Sequence, residues 1–367
     1  MIRSNFFFSF LKKNNINFFC GVPDSTLKAN DYYLSKLKRD RNIITHNEGG
    51  SIATAIGYYL STKRIAAVYL QNSGLGNTIN PIASIADENV YSIPMILIIG
   101  WRGSPMDSRG DEPQHKLKGK ITKNILALLK IKHCVINSEK DLKKLKELIK
   151  YSKSKKRVVA CLIRRGILVS EHKSHKKRLN SKHSFSRGKI ISYITSLNLK
   201  NLKIFSTTGY TSRELYQIRK TNKSKIKDFL NVGGMGHTSS IAHGYAINSK
   251  KNVLCFDGDG SLIMHMGSMA VNGQYVAKNF KHIVFNNKQH ESVGGQKTPT
   301  ENINFKMLSK GCGYKKYFFA KDFKSFKKKF KKFYTLPGPS FFEIIVDPGT
   351  FENLIRPNDF KKIVKDF

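Results

Sequence analysis

The stretch from residue 252 to 287 constrains the fold more than any other. It opens with Asn252–Phe256 (NVLCF), an apolar run whose length and Val, Leu and Phe content predict a buried strand. Asp257-Gly258-Asp259-Gly260-Ser261 follows. Gly258 and Gly260 bracket Asp259, and glycine there lets the backbone turn sharply and come close to a ligand. Residues 261–278 predict a helix with Leu262, Met266, Met269 and Ala270 on one face. A helix starting at Ser261 aims free N–H groups and partial positive charge back at the turn, which suits a phosphate. His282–Phe285 (HIVF) predicts a second strand that delivers Asn286 and Asn287. Asp259 and Asn287 stand 28 positions apart, a spacing that suits one strand–helix–strand crossover. A carboxylate and a carboxamide then arrive at the ends of two parallel strands. They can share one hard cation, and Mg2+ prefers a carboxylate or two plus substrate phosphates.

The first half shows the same alternation. A helix over 4–15 leads to a strand, Asn17–Cys20, and to the loop Gly21-Val22-Pro23-Asp24-Ser25. There Asp24 or Ser25 can cap the next helix or face a ligand. The short strand Ile43–Thr45 ends at His46-Asn47-Glu48, before a helix opened by Gly49, Gly50, Ser51 and Ala53. So many small residues predict close packing. Glu48 has no Lys or Arg beside it in sequence, so it is either a capping charge or a buried, functional carboxyl. Ile65–Leu70 is a further strand, followed by the polar loop 71–77 and a helix running to about Ala86; Pro94–Gly100 is the next strand. Residues 139–157 read as a Lys-rich outer helix, and Arg157–Arg164 as the strand that closes the sheet. The polar loops 21–25, 46–50, 71–77 and 101–115 all follow strands, where doubly wound α/β folds bind their ligands. Arg102, His115 and Asp24 are candidate substrate groups on those loops.

Residues 170–188 carry almost no apolar content and read as a linker between domains 1–169 and 189–367. His172, His175 and His183 lie in it without any cysteine, which argues against a metal site. In the second domain, Thr208 and Gly209 follow the strand Ile204–Thr207. Backbone amides and hydroxyls there can hold a diphosphate, and Thr211 or Ser212 can cap the next helix, with Glu214 in its first turn. Residues 234–239 read Gly-x-Gly-x-x-Ser, a dinucleotide-like pattern weakened by its missing third glycine. His290 lies in the loop after Asn287, beside the expected cation, and is a fourth candidate substrate group.

Charge raises a different class of function. Lys and Arg number 65 against 25 Asp and Glu, a formal +40, which admits a non-catalytic, basic nucleic-acid-binding protein. The basic residues are mostly Lys, scattered through every segment, and accompany abundant Asn, Ile and Phe. That pattern fits an AT-rich genome better than a nucleic-acid surface. A nucleic-acid binder would also have no use for Glu48, Asp259 and Asn287 at these places. The five cysteines show no paired spacing, which predicts reduced thiols and a cytoplasmic protein. No apolar run reaches the roughly 18 residues of a membrane span, and Phe6–Leu11 reads as part of the first helix rather than a signal peptide.

Together these residues resemble the thiamine-diphosphate enzymes. The metal motif of that family matches Gly258-Asp259-Gly260 and Asn286-Asn287. The resemblance implies that Asp259, Asn287 and the backbone carbonyl of Gln289 bind Mg2+. It also implies that Gly258, Gly260, Ser261, Thr208, Gly209 and Gly234 line the diphosphate. By the same resemblance, Met235 would prop the cofactor into a bent shape, and Glu48 would be the essential glutamate that favours the imino form of the aminopyrimidine. Gly-Val-Pro-Asp-Ser (21–25), Gly-Trp-Arg-Gly (100–103), Asp-Glu-Pro-Gln-His (111–115), Met-His-Met-Gly-Ser (264–268) and His-Glu-Ser-Val-Gly-Gly-Gln (290–296) are similar to the phosphonopyruvate decarboxylase family over nearly the whole chain. The fold implied is two doubly wound α/β domains, one for the pyrimidine and one for the pyrophosphate, with no central domain. The expected reaction converts 3-phosphonopyruvate to phosphonoacetaldehyde and CO2 in phosphonate biosynthesis; sulfopyruvate or another 2-oxo acid is the alternative substrate. The family also implies a homo-oligomer with sites at subunit interfaces.

Overall fold

The computed structural model describes residues 1–108, 110–172, 185–224, 226–357 and 360–367. The apolar runs of the first half become β1 (Ile2–Arg3), β2 (Phe19–Gly21), β3 (Asn42–Ile44), β4 (Ala66–Gln71), β5 (Met95–Trp101), β6 (Lys132–Ile136), β7 (Val158–Arg164) and β8 (Leu168–Val169). Six of them form one parallel sheet in the order β3-β2-β4-β5-β7-β6, and β1 pairs separately with β8. Alternate residues of each central strand enter different cores. Ala67, Tyr69, Ile96 and Ile98 join one cluster, and Ala66, Val68, Met95 and Leu97 join the other. A parallel sheet buried on both faces explains why these strands read as unbroken apolar runs.

The second half repeats the plan with β9 (Leu202–Ser206), β10 (Phe229–Leu230), β11 (Asn252–Gly258), β12 (Phe280–Asn286), β13 (Lys316–Ala320) and β14 (Ser340–Ile345). They form a parallel sheet in the order β10-β9-β11-β12-β14-β13. Leu254, Phe256, Ile283 and Phe285 face one core; Val253, Cys255, Phe280 and Val284 face the other. The doubly wound α/β expectation holds for both sheets. The chain divides into two compact units, Met1–His175 with Val293–Gln296, and the remainder. All five cysteines are free thiols. Among the described residues no helix is long and apolar enough to cross a membrane.

Several local expectations are corrected. The helix expected over 261–278 begins at Asp259 and is two short helices, Asp259–Met264 and Ser268–Gln274. His265 leaves helical geometry at φ −135° and ψ 51°, so Met266 and Ala270 turn outward while Leu262 and Met269 stay buried. The loop expected at 71–77 is mostly helical, with a turn of 3-10 helix at Asn72–Gly74 and an α-helix at Leu75–Pro81. Its polar residues do not signal solvent: Asn72 is buried and donates to the Arg102 carbonyl and to Thr122 Oγ1, both at 2.9 Å. The strand expected to close the first sheet is β7, but β6 lies outside it. Lys132 and His133 interrupt the apolar pattern of that half-exposed edge strand. The helix Arg187–Ser196 begins inside the segment read as a linker, capped by Ser186; residues 173–184 of that segment, including His175 and His183, lie outside the described residues. Neither Thr211 nor Ser212 caps the helix Tyr210–Thr221. Gly209 does so at φ +87°, and the Ser212 hydroxyl donates to the Thr207 carbonyl at 2.7 Å instead.

Candidate functional site

In the second unit, four strand ends converge on one polar surface. Register pairs Gly258 of β11 with Phe285 of β12, so Asp259 and Asn287 leave neighbouring strands at nearly the same level. Asp259 is 2% exposed. Its Oδ2 accepts from Thr298 Oγ1 at 2.5 Å and, more weakly, from Thr300 Oγ1 at 3.4 Å. Burial pushes its carboxyl up to about 6, with the Thr298 hydrogen bond opposing. A buried carboxylate surrounded by hydroxyls is suited to a hard cation. Asn287 donates its amide to Glu291 Oε2 at 3.1 Å, and its Oδ1 accepts from the main-chain N–H of Gln289 at 3.0 Å. Glu291 therefore decides which end of the carboxamide is the oxygen.

Ser261 ties three loops together. Its hydroxyl lies 2.8 Å from Thr207 Oγ1 and accepts from the Gly236 N–H at 3.1 Å. Thr208 and Gly209, half-buried, follow at the end of β9. Gly234 and Gly236 hold φ of +60° and +89° around half-buried Met235. Positive φ at both glycines bows this loop outward in a way other residues rarely adopt. Around Gly258 a Cβ would meet nothing within 4 Å, whereas at Gly260 it would press on His290 at 2.9 Å. His290 is buried and its Nε2 has no hydrogen-bond partner among the described residues. Burial pushes its pKa down to about 4.

Behind this surface lies a network that the sequence did not reveal. Arg187 is buried and pairs with Glu214 at 2.7 Å and with Glu291 at 3.2 Å. Glu291 also accepts from the Gly349 N–H. Arg187 was masked by its place in an apparently polar linker. Glu214 looked like a first-turn capping charge, and the Thr298–Thr300 pair on Asp259 had no recognisable spacing.

In the first unit, Glu48 opens the helix Glu48–Thr62, whose cap is Asn47, accepting from the Gly50 N–H at 2.8 Å. Glu48 is 5% exposed. Asn77 donates to its Oε2 at 2.7 Å, and a Cβ on Gly74 would sit 1.9 Å from its Oε1. Gly74 is therefore a requirement of the carboxylate's position. Half-buried Lys118 has Glu48 as its charged neighbour; burial lowers its pKa and Glu48 partly offsets that. No sequence signal marks Lys118, which lies seventy positions from Glu48.

The remaining candidates are partly engaged. Asp24 is buried, accepts from Gln71 Nε2 at 2.5 Å, and leaves Oδ2 without a partner among the described residues. Burial raises its pKa, with the Gln71 hydrogen bond opposing. Arg102 grips Asp111 with both Nε and Nη2, at 2.7 and 2.6 Å, and aims Nη1 at Ser25 Oγ at 3.3 Å. Burial works against the Asp111 charge, but that grip holds its carboxyl below the usual range. The guanidinium edge that could fork a planar anion is thus engaged by Asp111. His115 is half-buried and its Nδ1 has no partner among the described residues. Burial, then the Arg102 charge, pushes it down to about 4.

Comparison with known proteins bears on both halves. Residues 3–128 match the thiamine pyrophosphate enzyme N-terminal TPP binding domain, and residues 207–344 match the C-terminal TPP binding domain. The two units thus define a thiamine pyrophosphate enzyme. The chain is 30% identical to phosphonopyruvate decarboxylase of Streptomyces viridochromogenes, over 80% of this chain and 76% of that one. It is 28% identical to the Streptomyces hygroscopicus phosphonopyruvate decarboxylase, over 80% and 75%. It is also 39% identical to sulfopyruvate decarboxylase subunit beta of Methanocaldococcus jannaschii, over 30% of this chain and 57% of that one. The chain belongs to the thiamine-pyrophosphate-dependent carboxy-lyases.

Proposed function

We propose that this enzyme decarboxylates 3-phosphonopyruvate to phosphonoacetaldehyde and CO2, using thiamine diphosphate and Mg2+, and works as a homo-oligomer. The observation that carries the substrate is the 30% identity to a phosphonopyruvate decarboxylase running through 80% of the chain. Direct loss of CO2 from a 2-oxo acid leaves an unstabilised acyl anion, and bound thiamine diphosphate supplies the electron sink. Asp259, Asn287 and the Gln289 carbonyl are the proposed Mg2+ ligands, an all-oxygen set of the kind Mg2+ takes. Thr208, Gly209, Gly234, Gly258, Gly260 and Ser261 offer main-chain N–H groups and hydroxyls to the diphosphate, while Met235 supports the rest of the cofactor.

Glu48 is the proposed catalytic carboxyl. Buried and held by Asn77, it shares a proton with the aminopyrimidine and sets its protonation state. Asp24, His115 and His290 each present a polar atom without a partner among the described residues and serve substrate binding or proton transfer. Arg102 shapes the Asp111 loop and offers only Nη1 to an anion. Lys118 adds a cation beside Glu48 for the phosphonate.

A second reading, sulfopyruvate as substrate, is favoured by the 39% identity to the sulfopyruvate decarboxylase beta subunit. Phosphonate and sulfonate are close in shape, so the assay must compare them. The purified chain, supplied with thiamine diphosphate and Mg2+, is followed for CO2 release from each acid. The proposal predicts kcat/KM at least about tenfold higher for phosphonopyruvate, a ratio within reach of one or two polar contacts. The opposite preference transfers the assignment to sulfopyruvate, and release from neither refutes both.

A further inference from the structure

Beneath the Gly258–Asp259 turn the core carries polar groups that packing does not require. Asp257 and His282 are 0% exposed, Asn272 1% and Tyr314 4%. His282 lies on β12 directly beside Cys255 of β11, and Asp257 is two residues further along the same face. Phe280 and Phe341 pack against the imidazole. His282 Nε2 lies 3.4 Å from Asp257 Oδ2, and His282 Nδ1 lies 3.0 Å from the Tyr314 hydroxyl. Asn272 Nδ2 donates to that hydroxyl at 3.3 Å, and Asp257 Oδ1 accepts from the Gly258 N–H at 2.9 Å.

The donor directions follow from the chemistry of the ends. An ionised carboxylate only accepts, so Nε2 of His282 carries the hydrogen that faces Asp257, and Nδ1 is then the acceptor. Burial holds Tyr314 in its phenol form, so it donates to Nδ1 and uses its lone pair for Asn272. Each of these hydrogen bonds then has one donor and one acceptor, and the chain of bonds runs one way until it meets the Gly258 N–H at Asp257, while Asn272 Oδ1 has no partner among the described residues. A network this deep is expensive to bury, and an apolar core would be as stable. Its outer end is Gly258, which caps the helix carrying Asp259.

We propose that Tyr314, His282 and Asp257 form a positioning relay that fixes the Gly258–Asp259 turn and thereby sets the affinity for the Mg2+–diphosphate group. The relay rests on the assignment of Asp259 as a metal ligand. It acts through the turn, and none of its members touches the reacting atoms.

Two substitutions at His282 separate positioning from packing. The amide nitrogen of Gln reaches the place of Nε2, and the amide oxygen of Asn reaches the place of Nδ1. His282→Gln therefore keeps the bond to Asp257, and His282→Asn loses it. Mg2+-dependent thiamine diphosphate binding is measured by calorimetry, beside unliganded thermal melts. The relay predicts about tenfold weaker binding for His282→Asn and less than about threefold for His282→Gln, with similar melting losses. Tyr314→Phe, which removes one oxygen and keeps the ring, weakens binding about threefold and carries the test if the His282 variants fail to fold. Equal affinities for the two His282 variants, or a Tyr314→Phe affinity equal to wild type, overturn the relay. Wild-type protein that binds the cofactor without Mg2+ overturns the metal assignment and the relay with it. Cys255 adds a third ligand atom within 4.8 Å of those of Asp257 and His282. One equivalent of zinc surviving dialysis against chelator would make the trio a metal site and overturn the relay.

Discussion

Replacing Arg187 with Met should destabilise the second unit and loosen its cofactor site together. The Arg187 side chain is 7% exposed, and its partners Glu214 and Glu291 are 1% and 14% exposed. Removing the cation leaves two carboxylates facing each other in a medium that hydrates neither. Breaking a buried pair in this way costs about 3–5 kcal/mol. For a domain of roughly 150–250 residues, where about 1 kcal/mol moves the midpoint 2–4 °C, the melt should fall by about 6–20 °C. Glu291 also holds the Asn287 amide at 3.1 Å. Once its charge is unpaired, the side chain turns toward water and releases Asn287, so Mg2+-dependent cofactor affinity falls as well. Calorimetric melting and cofactor titration on Arg187→Met read both effects. The double variant Arg187→Met with Glu214→Leu should recover part of the stability, because it also removes the more deeply buried of the two carboxylates left unpaired. A loss below about 1 kcal/mol, or one with unchanged cofactor affinity, refutes the reasoning.

Other consequences follow from single groups. Gly74→Ala places a Cβ where the Glu48 carboxylate now lies, 1.9 Å from Oε1; turnover should fall at least about tenfold, and unchanged turnover would show that the carboxylate has room to move. Asp259→Ala should abolish Mg2+-dependent cofactor retention, measured by calorimetry; a variant that still holds thiamine diphosphate in chelator counts against Asp259 as a ligand. Burial, then the Arg102 charge, pushes His115 down to about 4 in the fold against its ordinary 6.5, so the unfolded chain takes up the proton first as pH falls. Its stabilising contribution is complete above pH 6.5 and is lost as pH drops through about 4. Asp31, raised to about 7 chiefly by burial, slopes the other way, so His115→Gln is read as a difference from wild type: its melting temperature should fall less between pH 6.5 and 4, and a parallel profile would remove His115 from the account.

Both sheets were legible because parallel strands buried on two faces leave continuous apolar runs, as Val158–Arg164 and Asn252–Gly258 do. What the runs conceal is order. β6 carries no continuous apolar run, because an edge strand half in solvent tolerates Lys132 and His133. Polar composition misled where polar groups are satisfied internally, as with Asn72, buried against Thr122. Asp259, Asn287 and Glu48 stood out because glycines and strand ends frame them. Arg187, Thr298 and Lys118 did not, since their roles depend on partners 27 to 104, 39 and 70 positions away, distances that only the folded chain closes. Arg102 shows the converse: its place on a polar loop after a strand makes it a candidate substrate group, but the sequence does not show that Asp111, nine positions on, engages its Nε and Nη2.

Asp259 and Asn287 are proposed to hold the cofactor, and Glu48 to govern its reactivity. Glu48→Gln keeps the size of the side chain and its contact with Asn77 but gives up the exchangeable carboxyl proton. Cofactor affinity and single-substrate turnover, measured on the same preparation, test the claim directly. The account predicts affinity within about threefold of wild type and turnover lowered by at least about a hundredfold, the range of a lost acid–base group. Turnover near wild type, with the cofactor bound, would contradict it.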